Sequence, residues 1–188
     1  MLTVQNVLST IKCFSTHCWQ NSDPTVKKFG KMTSVFVYGT LKQGQPNHHY
    51  MISGNKGRGR SCGSGVTVEK YPLVVAGKFN IPFLLNEPGS GHHVTGDIYT
   101  VDSQLLQFLD EFEGCPEMYQ RKQVKIRTVE WKATDKRLCV QPDADGMLPC
   151  FVYCTSTYDR EWLKLPFHST YDAFGKLGQP KYVIRDCR

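Results

Sequence analysis

The sequence predicts an α+β domain: a small, mostly antiparallel β-sheet or β-barrel with flanking helices. Three observations point to it. Short apolar or alternating segments (SVFVY, VTGDIYTV, RKQVKIRTVEW, PCFVYCTST) recur between Gly-, Pro- and Asn-containing turns, as half-buried strands do. One stretch, DSQLLQFLDEFEG, carries a clear helical period. No repeating strand-helix rhythm of the kind that builds a parallel sheet is present.

The elements follow in chain order. Residues 1–32 are Ser/Thr/Lys-rich with Asp23 as the one carboxylate and no Arg, and read as a disordered N-terminal extension ahead of a single domain, 33–188. A mitochondrial leader is also acid-poor but ordinarily Arg-rich, so the segment meets one of the two conditions. A strand is expected at 34–38, a short helix around 46–53, and a loose basic connector over GNKGRGRSCGSG. VTVEKYPLVVAG and FNIPFLL supply strand material, NEPGSGHH a turn, and VTGDIYTV an alternating strand. A helix capped by Asp102 or Ser103 runs to Glu113 and stops at Gly114 and Pro116. Strands at 121–131 and 149–157 flank a polar loop, 132–148, and the tail from Asp159 is irregular.

Length and composition bound the function. With 188 residues, 40% of them hydrophobic, the chain can bury one real core. Eight cysteines without a CxxC pair suggest free thiols in a reducing, cytoplasmic setting. The net charge of +6 is spread along the chain, which suits mild attraction to anionic ligands rather than a nucleic-acid surface. No apolar run reaches the roughly 20 residues of a membrane-spanning helix, so no membrane partner is expected.

Two constellations carry chemistry. The first is Tyr38-Gly39-Thr40-Leu41, where a strand ends in a turn whose glycine lets a ligand approach the main chain and whose N–H groups can face a carboxylate. Gly39 and Gly44 have the spacing of half a phosphate loop, but Gln45-Pro46 stands where that motif needs Lys and Ser/Thr, which disfavours a nucleotide. On spacing alone, a plain turn leaving a core strand is the favoured reading, and the turn by itself identifies no function.

The second is LLQFLDEFEGCP. Placed at about 100° per residue from Leu105, the residues Leu105, Leu106, Phe108, Leu109 and Phe112 form one arc. Asp110 and Glu111 fall outside it, at roughly 140° and 240°, and Glu113 inside it, at roughly 80°. A carboxylate turned toward the core either holds a cation, here Arg121 or Lys122, or serves as a proton acceptor near neutral pH.

These two features, with YPLVVAG, NIPFLL, PGSG and QFLDEFEGCPEMYQR in the same order, resemble the γ-glutamylcyclotransferase-like family over residues 33–188. The resemblance implies a small barrel with flanking helices, Tyr38, Gly39, Thr40 and Leu41 as the segment gripping a γ-glutamyl group, and Glu113 as the proton acceptor. It also implies the reaction: cyclisation of a γ-glutamyl amine, foremost γ-glutamyl-ε-lysine from degraded crosslinked proteins, to 5-oxoproline and free amine by a monomer without metal or cofactor. The alternatives are a cyclotransferase for γ-glutamyl amino acids or glutathione, and a γ-glutamyl-binding module without turnover.

Other signals are weaker. His48-His49 and His92-His93 lack a third ligand at recognisable spacing, so no metal site is expected. Cys150 and Cys154 share a strand face and read as buried thiols, and Cys115 lacks a base partner. The Lys56–Arg60 run has no interleaved aromatics for stacking on bases and reads as a flexible connector.

Overall fold

Alternating and fully apolar runs become strands wherever the sequence places them together. In the computed structural model, which describes residues 32–135 and 138–184, β1 (Thr33–Val37), β2 (Gly59–Thr67), β5 (Thr95–Val101), β6 (Gln120–Trp131) and β7 (Met147–Cys154) close a barrel in the order β1-β5-β2-β6-β7. Four of its contacts are antiparallel ladders. The closure is a parallel bridge, Val35 opposite Phe151. A separate hairpin, β3 (Leu73–Ala76) with β4 (Ile81–Leu84), lies outside the barrel. The expected extension at 1–32 falls outside the described residues except for Met32.

Among the described residues, two α-helices flank this sheet. The short α1 (His49–Ile52) is narrower than the expected 46–53, because 42–48 is taken up by turns. In α2 (Ser103–Phe112), Asp102 is the cap: its Oδ1 accepts from the Leu105 N–H at 2.9 Å. Leu105 and Leu109 are fully buried, while Phe108 and Phe112 pack their rings on Tyr50. The helix stops one residue short of expectation. Glu113 is its C-cap, and the Glu113 N–H still bonds the Leu109 carbonyl.

The connector GNKGRGRSCGSG is corrected most: from Gly59 it is the central barrel strand β2, paired with both β5 and β6. Its glycines are structural. A Cβ on Gly63, which sits at φ 146°, would lie 2.0 Å from the Glu130 carbonyl oxygen, where the ladder shifts register. Glycine in a strand marks such bulges and close approaches, and composition alone reads it as loop. The basic run is no free tether either: the Arg58 N–H bonds Asp102 Oδ2, and the Lys56 ammonium stands over Phe108. At the other end, Met147 and Leu148 of the expected polar loop belong to β7, and residues 155–157 of the expected strand do not.

The irregular tail forms a 3₁₀ turn, Arg160–Lys164, and then a strap over the barrel. Side chains hold it: Lys42 Nζ donates to the Tyr171 carbonyl at 2.7 Å, and Gln45 bonds both Asp172 and the Ala173 N–H. Asp172 accepts in turn from the Phe174 and Lys176 N–H groups. Those donors, led by the Lys176 N–H, hold its carboxyl below the usual carboxylate range. A folded pKa below the unfolded value, near 3.9, means a stabilisation that is full above that value and lost as pH falls through the folded pKa. The urea midpoint of the native chain is therefore expected to fall more steeply below about pH 4 than that of Asp172→Asn; parallel curves would remove Asp172 as the source.

Candidate active site

The turn after β1 is pinned from several sides. The Tyr38 hydroxyl donates to the Tyr153 carbonyl at 2.8 Å and accepts from the Leu84 N–H at 3.3 Å, tying the strand end to β7 and β4. Burial first, then the nearby Glu113 carboxylate, pushes the Tyr38 phenol well above its ordinary pKa, so it stays a neutral donor. Asn47 bonds Thr40 twice, through its N–H to the carbonyl and through Nδ2 to Oγ1 at 3.0 Å. Lys42 N–H closes the turn on the Gly39 carbonyl. The chain here is held in place before any ligand arrives, which lowers the cost of binding one.

Beside this turn opens a cleft of about 380 Å³, part of it open to solvent, lined by Val37 through Leu41, Pro82, Glu113, Tyr119 and Tyr153. Tyr38, Gly39, Thr40, Leu41 and Glu113, separated by more than seventy residues of sequence, thus face one space. The Tyr38 hydroxyl is already taken up by Tyr153 and Leu84. Tyr119 is buried, stacks on Phe83 at 5.3 Å, and donates to the Pro82 carbonyl at 3.0 Å. A second, outer lobe of about 890 Å³, part of it likewise open to solvent, shares Thr40, Ile81, Glu113 and Tyr119 with the first and adds Asn47, Tyr50, Phe112, Met118, Tyr182 and Ile184.

Arg121, a sequence candidate for pairing with Glu113, is paired with Asp110 at 2.5 Å. Glu113 itself is half-buried at the junction of the two lobes rather than deep in the core, because the helical arc ends at its cap. Cys115 sits close by, but its thiol is pushed up to about 11, by burial first and then by Asp110 and Glu113, which leaves little thiolate. Cys150 and Cys154 are buried thiols, as expected. The His48 ring bonds the Tyr99 hydroxyl at 2.9 Å, and His93 Nδ1 meets the Thr67 carbonyl. No helix among the described residues is long and apolar enough to cross a membrane.

A half-buried carboxylate and a pinned, glycine-containing turn on one cleft form the arrangement that the motifs imply. The profile of the family described as "Gamma-glutamyl cyclotransferase, AIG2-like" matches residues 35–173. The chain belongs to that family. Its relatives include the gamma-glutamylaminecyclotransferase of Rattus norvegicus, 50% identical over 147 residues that cover 78% of this chain and 94% of the relative. The Homo sapiens protein of the same name is 46% identical over 147 residues, covering 78% and 94%. The crystal structure of an aig2-like protein from Mus musculus superposes with a TM-score of 0.73 at 49% identity, covering 84% of this chain and 99% of that one.

Sequence reasoning missed Asp110, Tyr119 and Tyr153. Asp110 lay outside the helical arc and so read as solvent-facing. Tyr119 and Tyr153 sit in strand-like surroundings where a tyrosine is ordinary. Arg121 and Tyr153 stand opposite each other in the β6–β7 ladder, a register that no local pattern states.

Proposed function

We propose that this protein cyclises γ-glutamylamines, with γ-glutamyl-ε-lysine as the prime substrate, releasing 5-oxoproline and the free amine. The observation that carries the reading is the meeting of the Tyr38–Leu41 turn and Glu113 on one cleft. Family membership and the printed names of relatives support it.

In this mechanism the turn's N–H groups bind the α-carboxylate of the glutamyl group. Glu113 takes a proton from the α-ammonium, and the freed nitrogen attacks the γ-carbonyl carbon of the same residue. The new C–N bond closes a five-membered ring; the old amide C–N bond breaks. Glu113 returns its proton to the departing nitrogen, so it acts as base and then as acid. No water is consumed, and the two protons lost by the ammonium end on the leaving amine. Since the attack is intramolecular, holding the chain folded supplies much of the acceleration; effective molarities of about 10⁵ to 10⁸ M are reached in well-oriented cases. Neither metal nor cofactor enters, and the protein acts as a cytoplasmic monomer on this small molecule.

The leaving amine occupies the outer lobe. Four methylenes of a lysine side chain match walls made by Tyr50, Phe112, Met118 and Tyr182. An α-amino-acid leaving group carries its carboxylate next to the scissile nitrogen and brings it against Glu113, a like-charge contact. Incubation with γ-glutamyl-ε-lysine, γ-glutamyl-alanine and glutathione, followed by NMR of 5-oxoproline, is expected to show kcat/KM highest for the first by at least about tenfold. Absence of ring product from all three sinks the enzyme reading, and a preference for either of the others sinks the lobe assignment.

A further inference from the structure

We propose that Asp110 is a positioning residue: its carboxylate locks the turn of α2 that carries Glu113 to the strand that carries Tyr153, and so fixes the base against the cleft. The inference rests on Glu113 being the base. Asp110 lies three residues before Glu113, in the same helical turn. Its two oxygens are used separately. Oδ1 accepts from the Tyr153 hydroxyl at 2.8 Å, and Oδ2 from Arg121 Nη1 at 2.5 Å.

Those two donors are a cross-strand pair on β6 and β7, and the Arg121 guanidinium also lies 5.1 Å over the Phe151 ring. The chain of bonds continues to the other wall. Tyr153, which lines the cleft, accepts the Tyr38 hydroxyl bond at its carbonyl. One carboxylate therefore connects the helix end with Glu113, the wall at Tyr153 and the ligand-facing turn. Burial first, and then the bond to Asp110, keeps the Tyr153 phenol protonated and so a donor. An ion pair that served stability alone would have no need of the second, neutral donor that carries it to the cleft.

The test is kinetic, on the full chain with γ-glutamyl-ε-lysine. Asp110→Asn keeps shape but offers one oxygen and one amide N–H₂ to two donors, so one bond is lost and the turn shifts. Displacements of about 1 Å at a reacting group cost on the order of 10²-fold, so kcat is expected to fall between about 10- and 100-fold with KM within about twofold. Tyr153→Phe keeps the ring and removes one bond; it is expected to lower kcat less, and the loss in the double variant is expected to fall short of the product of the two single losses, because both act on the same Asp110 network.

A lowered melting temperature with kcat unchanged, or additive losses in the double variant, overturns the proposal and leaves a stabilising ion pair. Should Asp110→Asn not fold, Tyr153→Phe with unchanged kcat overturns it equally. Glu113→Gln run in parallel separates the two assignments: turnover retained there refutes the base, whereas turnover abolished there but intact in Asp110→Asn refutes only the positioning role. The acid limb of the pH profile is expected to survive in Asp110→Asn; its loss makes Asp110 the proton acceptor and overturns both.

Discussion

Glu113→Gln is expected to remove at least about 10²- to 10⁴-fold of the rate of 5-oxoproline formation, the range that a positioned acid–base group supplies. Gln has the shape of Glu and no basic oxygen at neutral pH, so the substrate's ammonium keeps its proton and cannot attack. The fold has little reason to respond. The helix cap at this position is a main-chain bond, Glu113 N–H to the Leu109 carbonyl, and the side chain is half-buried at a cleft rather than packed in the core. Substitutions in such places stay within about 0.5 kcal/mol when they break no packing. NMR of the product, with a thermal melt as control, checks both halves. Substantial residual turnover in a folded variant moves the base elsewhere.

What could be read from the chain divides along local and non-local lines. The alternation in VTGDIYTV and the arc Leu105, Leu109, Phe112 are local signals, and β5 and α2 stand where they say. GRSCGSG failed because its glycines answer to neighbours distant in sequence, such as the Glu130 carbonyl against Gly63, and tertiary packing overrides strand propensity. The strap over 165–184 is irregular, as the sequence reads it, but its course over the barrel is not legible for a related reason. Gln45, Asp172 and Gln179 hold it with side-chain bonds, which leave no period in the sequence. The candidate site was half legible. Tyr38–Leu41 and Glu113 stand out by motif and by wheel, but Asp110 needed the β6–β7 register to show that the helix flank outside the hydrophobic arc faces Arg121 and Tyr153.

The other large effect is expected at Gly39. Its φ is not in the left-handed region, so the argument is one of space: a Cβ there would lie 2.8 Å from Cγ of Pro82, which also lines the cleft. Pro82 has little room to yield. Its ring cannot change rotamer freely, it is paired with Val75 in the β3–β4 hairpin, and its carbonyl holds the Tyr119 hydroxyl. A β-branched side chain at 39 therefore drives the turn away from β4, and the N–H groups proposed to grip the α-carboxylate move with it. Overpacking of this kind costs roughly 1–3 kcal/mol of stability. Loss of the grip costs more in rate, because a glutamyl chain no longer held folded forfeits its intramolecular advantage. Gly39→Val is expected to lower kcat/KM by on the order of 10²-fold, with KM rising, and Gly39→Ala to fall between it and the native chain. Steady-state kinetics on γ-glutamyl-ε-lysine reads this directly. Equal kcat/KM in Gly39→Val and the native chain would show that the glutamyl group does not sit between the turn and β4.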